Sequence, residues 1–295
     1  MSVILITGCS SGFGMLTAAR LSAVGHTVYA TMRNLDKQSD LVEEVESRGG
    51  EVRILPLDVT DDNSILKTIE EIEKEQGRLD VLVNNAGYGI GGFFEDLTEE
   101  EIRGQMETNF FGAQKVTRHA LPLMRNTAKR VVNQMKPKII NVSSSSGRIA
   151  TPGLNAYAAS KFALEGFSES LYHELHPFGV DVVLIEPGRY LTKIFSDNSR
   201  IATRSGHPDS PYSPYALRFK SLIVKMLKTK EGVRDPEEVA KLIERVVSSK
   251  RPRFRYPVGR RVRLYILLKY VLPFRWFSGL ILKKVYGKNI TPMEG

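Results

Sequence analysis

The sequence predicts an α/β fold: a doubly wound parallel sheet with helices on both faces, formed as a single domain over residues 1–295. Three observations predict it. Short runs rich in β-branched residues alternate with longer stretches of helical periodicity from the N-terminus through residue 186. The first run, Val3-Ile4-Leu5-Ile6, leads directly into a glycine-rich turn and then a helical segment. No internal repeat, low-complexity tract or Gly/Ser linker divides the chain. Such alternation joins parallel strands through crossover helices, and the right-handed preference of those crossovers sets the winding.

Taken in order, the expected strands are 3–7, 27–32, 52–56, 80–84, 137–143 and 180–186, each followed by turn residues and a helical pattern. After the first comes Thr7-Gly8-Cys9-Ser10-Ser11-Gly12-Phe13-Gly14, and Met15 to Val24 reads as a helix closed by Gly25. Strand, glycine turn and helix let backbone N–H groups approach a pyrophosphate at a helix N-terminus. The spacing here, GxxxGxG, differs from the dinucleotide fingerprint GxGxxG, so the likeness is one of mechanism. The alternative is a tight turn that needs only glycine's backbone freedom.

Further along, Asp80-Val81-Leu82-Val83 runs into Asn84-Asn85-Ala86-Gly87, and a helical stretch over 99–125 carries Asn109. Lys138-Ile139-Ile140 leads into Asn141-Val142-Ser143-Ser144-Ser145-Ser146-Gly147, which puts the Ser144 hydroxyl at a strand end. Tyr157 and Lys161 stand four residues apart, on one helical face. A cation there favours the phenolate and is expected to lower a tyrosine pKa that is normally about 10. That makes Tyr157 a candidate proton donor and acceptor, with Ser144 able to bond the same substrate oxygen. Pro187-Gly188 closes the sixth strand. Ligands in such sheets bind at the carboxyl ends of the strands, where the glycine turn, Asn84, Ser144 and Gly188 all fall.

Together, Thr7-Gly8-x-x-x-Gly12-x-Gly14, Asn84-Asn85-Ala86-Gly87, Asn109, Ser144, Tyr157-x-x-x-Lys161 and Pro187-Gly188-x-x-x-Thr192 resemble the short-chain dehydrogenase/reductase superfamily. The match covers residues 2 to 192 in the family's order and spacing. Within it, Thr7-Gly8-Cys9-Ser10-Ser11-Gly12, Tyr29-Ala30-Thr31-Met32-Arg33 and Ser160-Lys161-Phe162-Ala163-Leu164-Glu165-Gly166 look like the branch of 17β-hydroxysteroid and retinol dehydrogenase-like enzymes. The resemblance implies a Rossmann-type fold and hydride transfer between a nicotinamide cofactor and a carbonyl or alcohol. It implies that Ser144 and Tyr157 bond the substrate oxygen, Tyr157 passes the proton, and Lys161 lowers its pKa. Asn109 corresponds to the residue whose backbone distortion holds a proton-relay water. Thr192 corresponds to the one that holds the nicotinamide carboxamide, and Asp58-Val59 to the pair at the adenine ring.

Cofactor choice is argued from the end of the second strand. An NAD enzyme places an acid about 20 residues beyond the glycine turn, but Tyr29-Ala30-Thr31-Met32-Arg33-Asn34 has none until Asp36. Arg33 offers a fork for a 2′-phosphate, with Ser10, Ser11 or Asn34 as helpers, so NADP(H) is the expected cofactor. In the alternative, Arg33 is solvated and Asp36 takes the ribose. The expected cofactor contacts are therefore Gly8, Ser10, Ser11, Gly12, Phe13, Gly14, Arg33, Asp58, Val59, Asn85, Ala86, Gly87, Tyr157, Lys161, Pro187, Gly188 and Thr192.

Composition bounds the rest. One cysteine excludes an internal disulfide, no Cys/His cluster has metal-ligand spacing, and the five histidines fall in none of the motifs. With no basic region before Val3 and no apolar run of about 18 residues, the expectation is a cytoplasmic protein. Residues 189–230 form an insertion bearing Tyr190, Phe195, Tyr212, Tyr215, Phe219 and Met226, read either as a lid over a lipophilic pocket or as the core of short lid helices. Residues 250–295 read as a basic C-terminal helical extension, and no acidic residue stands between Glu244 and Glu294. Its apolar face either packs on the body or contacts an anionic membrane surface, and Pro273 breaks it. No nucleic-acid recognition motif accompanies the charge. The expected small-molecule partner is a lipophilic carbonyl or alcohol, and the family resemblance implies a second copy of the chain, paired through the helices bearing Asn109 and Tyr157. A non-catalytic NADP sensor and a membrane-peripheral binding protein are the readings from other classes.

Overall fold

A computed structural model describes residues 1–130, 135–190, 199–218, 221, 234–259 and 261–286. Side chains alternate along a strand, so one buried on both faces must be apolar almost throughout. In Val3–Ile6 (β1), Val81–Asn84 (β4) and Lys138–Val142 (β6) every residue is buried, and the polar exceptions Asn84, Lys138 and Asn141 are hydrogen-bonded. Ile4 and Ile6 enter one core layer, while Val3 and Leu5 enter the other. Burying one such side chain is worth roughly 1.5–3 kcal/mol, enough to hold a four-residue strand that would not persist alone.

Among the described residues, these strands join Thr27–Met32 (β2), Arg53–Pro56 (β3), Asp181–Pro187 (β7) and Arg255–Val258 (β9) in a seven-stranded sheet ordered β3-β2-β1-β4-β6-β7-β9. All its pairings are parallel. Strand order reverses between β1 and β4, which opens a crevice at their carboxyl ends. Helices Gly12–Ala23 (α1), Ser39–Ser47 (α2) and Glu237–Val247 (α7) cover one face, through residues such as Leu21, Leu41, Val45 and Ile243. Helices Asp62–Gln76 (α3), Ala113–Arg130 (α5) and Asn155–Leu175 (α6) cover the other, through Ile65, Ile69, Val116, Leu123 and Leu171. A separate two-stranded ribbon pairs Gly89–Gly91 (β5) with Ser199–Ile201 (β8).

The six expected strands appear within a residue or so of their expected bounds. The seventh corrects the sequence reading: β9 belongs to the sheet, so the C-terminal extension proper begins after Gly259. Arginine concealed it. Arg255 opens the strand, and its guanidinium is held by Glu165 at 3.2 Å, Glu186 at 3.3 Å and Glu169 at 2.7 Å. Pro257 is tolerated because β9 is an edge strand. The expected helix over 99–125 is Glu99–Met106 (α4), a π-helical turn over Glu107–Gly112, and α5. Beyond β9 lie Val262–Val271 (α8) and Phe274–Tyr286 (α9), separated at Pro273 as expected.

Candidate active site

The crevice at the strand reversal is a cleft of about 600 Å³. The glycine turn forms its floor because only glycine fits there. Gly8 and Gly12 hold φ of +73° and +62°, values that L side chains rarely adopt. A Cβ on Gly8 would sit 2.7 Å from the Ala86 Cα, and one on Gly14 would overlap the Gly8 carbonyl. The turn is laced to the Asn84-Asn85-Ala86-Gly87 corner. Thr7 Oγ1 accepts from the Asn85 and Ala86 amides at 3.0 Å each, and Asn85 Nδ2 donates to the Thr7 and Gly8 carbonyls at 2.9 Å each. Asn85 is thus a structural tie as well as part of the cleft lining. Cys9 is fully buried, donates to the Ile6 carbonyl, and has its thiol pushed up to about 12 by burial, so it packs and does not react.

Of the residues expected around a dinucleotide, Gly8, Ser10, Ser11, Gly12, Phe13, Arg33, Asp58, Val59, Asn85, Ala86, Gly87, Pro187 and Gly188 line the cleft, together with Ser144, Tyr157 and Lys161. Gly14 lies beneath it, and Thr192 falls outside the described residues. Arg33 and Lys37 both line the cleft beyond the end of β2, whereas Asp36 does not. Asn34, a candidate phosphate helper, caps that turn instead: its Oδ1 accepts from the Asp36 amide at 2.9 Å. Asp58 Oδ1 accepts from the Thr60 amide at 2.9 Å and hydroxyl at 2.8 Å, which fixes its side chain at the rim.

The π-helical turn accounts for Asn109. One extra residue per turn swings this buried side chain onto the Tyr88 backbone, where Nδ2 donates to the carbonyl at 2.9 Å and Oδ1 accepts from the amide at 3.0 Å. Asn109 does not line the cleft; it fixes the Tyr88 segment, which does. Nearby, Gly112 permits close packing on Val59, since a Cβ there would meet Val59 Cγ2 at 2.7 Å.

Ser144, Tyr157 and Lys161 are all buried. Lys161 Nζ donates to the Val142 carbonyl at 2.9 Å and lies 6.0 Å from the Tyr157 ring centroid. Burial pushes the Tyr157 phenol above its ordinary value, opposed by its hydrogen bond with Ser144. The sequence expectation, a phenol lowered by Lys161, ran the other way, because the phenol is desolvated. Burial also brings Lys161 down to about 8, opposed by the Glu165 carboxylate one helical turn on. A charge cluster lies behind it. Glu165 is pushed up to about 7 by burial and by neighbouring Glu186, against the pull of Arg255 and Arg148, and Arg148 bonds Glu186 at 3.0 Å.

Sequence reasoning passed over Lys37, Tyr88 and Arg200, which also line the cleft. A second cation four residues after Arg33 was the available signal for Lys37. None existed for Arg200, which arrives through the non-local β5–β8 ribbon and sits 4.7 Å over the Tyr88 ring. Among the lid aromatics, Tyr190 is core: it is buried, edge-on to Phe13 at 5.6 Å, and donates to Glu238 at 2.9 Å. Tyr212 stacks on Phe93 at 4.7 Å, and Tyr286 meets Tyr215 at 5.2 Å, so these rings pack on one another. Phe195, Phe219 and Met226 lie outside the described residues.

Comparison with known proteins agrees with this geometry. Residues 2–201 match the family model described as short chain dehydrogenase. The chain is 43% identical over 262 residues to 3-ketodihydrosphingosine reductase of Bacteroides thetaiotaomicron, covering 89% of each. It is 33% identical over 266 residues to human 17-beta-hydroxysteroid dehydrogenase type 1, covering 86% of this chain and 76% of that one. Among solved structures, a short-chain dehydrogenase from Streptomyces avermitilis superimposes with a TM-score of 0.77 at 30% identity, covering 96% of this chain and 97% of that one.

Proposed function

This chain belongs to the short-chain dehydrogenase family, and from that premise we propose that it is an NADP(H)-dependent oxidoreductase interconverting a carbonyl and an alcohol on a lipophilic, lipid-like substrate. The observation that carries the cofactor preference is the pair Arg33 and Lys37 in the cleft lining, with Asp36 outside it. Two cations suit a 2′-phosphate, while a ribose diol calls for a carboxylate. Gly8, ahead of α1, and Gly12, at its N-terminus, both line the cleft and suit close approach of a pyrophosphate. Similarity to a sphingoid-base reductase and a steroid dehydrogenase favours a lipophilic substrate.

When bound, NADP(H) supplies the hydride that passes between the nicotinamide and the substrate carbon. The protein residues do the rest. Ser144 and Tyr157 hold the substrate oxygen and stabilise charge as it grows there. Tyr157 gives its proton to that oxygen during reduction, and its raised pKa keeps the proton on until the developing alkoxide calls for it. Lys161, held by the Val142 carbonyl, supplies the positive charge that stabilises the phenolate left behind. Asn109 acts at one remove by fixing Tyr88. Residues 199–218 close the substrate side, a role supported by Arg200 in the cleft wall and by Thr203, whose amide and hydroxyl donate to Glu101 at 2.9 and 2.8 Å. Pairing of two copies through the helices bearing Asn109 and Tyr157 is supported by exposed Phe111 and Phe162.

The test is consumption of reduced cofactor, NADPH against NADH, over a panel of long-chain, steroidal and retinoid ketones and aldehydes. Turnover of a lipophilic carbonyl with NADPH preferred is the expected result. Tight NADPH binding with no turnover across the panel would instead make the protein a non-catalytic NADP binder.

A further inference from the structure

Helices α8 and α9 expose most of the apolar surface they carry. No residue of α8 is buried, and Leu264, Leu267 and Val271 stand in solvent. In α9, Phe274 is 79% and Trp276 70% exposed, with Leu280 and Leu282 beside them, and Phe277 is buried beneath. Arg261, Arg263, Arg275 and Lys283 are exposed on the same two-helix segment, interleaved with these side chains in sequence. The inner side is tied down: Lys269 donates to the Arg148 carbonyl and lies 4.9 Å over the Phe162 ring, and Tyr270 accepts from Arg148 at 2.8 Å. The exposed side is therefore a fixed outer face on an anchored element. The pair sits beside the cleft, because a Cβ on Gly188 would strike Val262 Cγ2 at 2.7 Å.

We propose that the outer face of α8 and α9 docks this protein on an anionic phospholipid bilayer. Such a face, with Trp, Phe and Leu between arginines and lysines, suits the boundary between headgroups and acyl chains. Charge argues against a second copy as the occupant. A two-fold interface sets a patch against itself, and this segment has no acidic residue between Glu244 and Glu294 to answer its own arginines. Anionic headgroups answer the cations and acyl chains cover the rings. Among the described residues no helix is long and apolar enough to cross a membrane, so contact is peripheral. This docking goes beyond the enzymatic reading and does not require it.

The experiment is co-sedimentation of the full chain with vesicles of phosphatidylcholine alone and of phosphatidylcholine mixed with phosphatidylglycerol. Neither cofactor nor turnover enters the readout. The protein is expected to partition onto the mixed vesicles, less so as salt is raised, and weakly onto the neutral ones. Arg263→Gln with Arg275→Gln should weaken partitioning by about fivefold per cation. Phe274→Ser with Trp276→Ser should weaken it by about tenfold or more. Both variants should keep the wild-type melting temperature and NADPH affinity, which separates lost docking from lost folding. Absence of partitioning onto the anionic vesicles overturns the proposal. So does partitioning that both variants leave unchanged, or a dimer that Trp276→Ser converts to monomer in a protein that binds no vesicles.

Discussion

Removing the Arg33 guanidinium should separate the two nicotinamide cofactors. Arg33 and Lys37 line the cleft at the end of β2, and both side chains are exposed. A hydrogen bond to a charged group contributes about 1.5–3 kcal/mol, and solvent exposure places Arg33 at the lower end of that range. About 1.5 kcal/mol corresponds to roughly tenfold in affinity. Lys37, an exposed point charge without the planar fork, adds about 0.5–1 kcal/mol, or two- to fivefold. Arg33→Ala should therefore weaken NADPH binding about tenfold, and Arg33→Ala with Lys37→Ala by about 20- to 50-fold. NADH, which lacks the 2′-phosphate, should move by less than about twofold in either variant. Arg33→Asp should widen the shift by adding repulsion. Titration calorimetry with both cofactors reads this directly. Equal losses for NADPH and NADH would place Arg33 on a feature the cofactors share, and no loss for either would leave it a solvated loop residue.

Three other outcomes follow from the same geometry. In Gly14→Ala the new methyl would overlap the Gly8 carbonyl and lie 2.5 Å from Asn85 Nδ2. Because backbone must yield, thermal melting should register a loss near the upper end of about 1–3 kcal/mol, with weaker cofactor binding; an unaltered melt would mean that the turn relaxes freely. Glu165→Gln removes the carboxylate that raises Lys161, so the Lys161 pKa should fall below its value of about 8. The limb of the pH–rate profile governed by Lys161 then moves to lower pH, whereas purely structural damage would lower the plateau and leave the limb in place. Phe111→Glu should reduce a dimer to a monomer in light scattering, and an unchanged mass would exclude the face around Phe111 as the pairing surface.

Most of the sheet was legible because buried parallel strands are short and mainly apolar, and β1, β4 and β6 follow this apart from Asn84, Lys138 and Asn141. The cleft was legible for the same reason: its parts sit at strand ends, which fall at regular intervals along the chain. Strand β9 was hidden because Arg255 and Pro257 are unlike a sheet interior, and only the buried carboxylates Glu165 and Glu186 make that arginine tolerable. Distance along the chain hid the three-residue ribbon and Arg200, since no local signal pairs residues 89–91 with 199–201. The direction of the Tyr157 shift was misjudged because helical spacing does not show how deeply the phenol is buried, and its desolvation raises the pKa. Tyr190 was open to either a lid or a core reading, and its contacts with Phe13 and Glu238 bury it while it still reaches the cleft lining.

The central claim is that the Tyr157 hydroxyl delivers the proton. Once a turned-over carbonyl is in hand, Tyr157→Phe compared with the parent enzyme tests it most directly, measuring NADPH oxidation and NADPH binding on the same samples. The substitution removes one buried oxygen and keeps the ring that fills its place in α6. Turnover should fall by at least about 10²- to 10⁴-fold, the range attributable to a positioned general acid, while NADPH affinity stays within about twofold of the parent. Turnover near the parent rate in Tyr157→Phe, with the cofactor bound, would contradict the account.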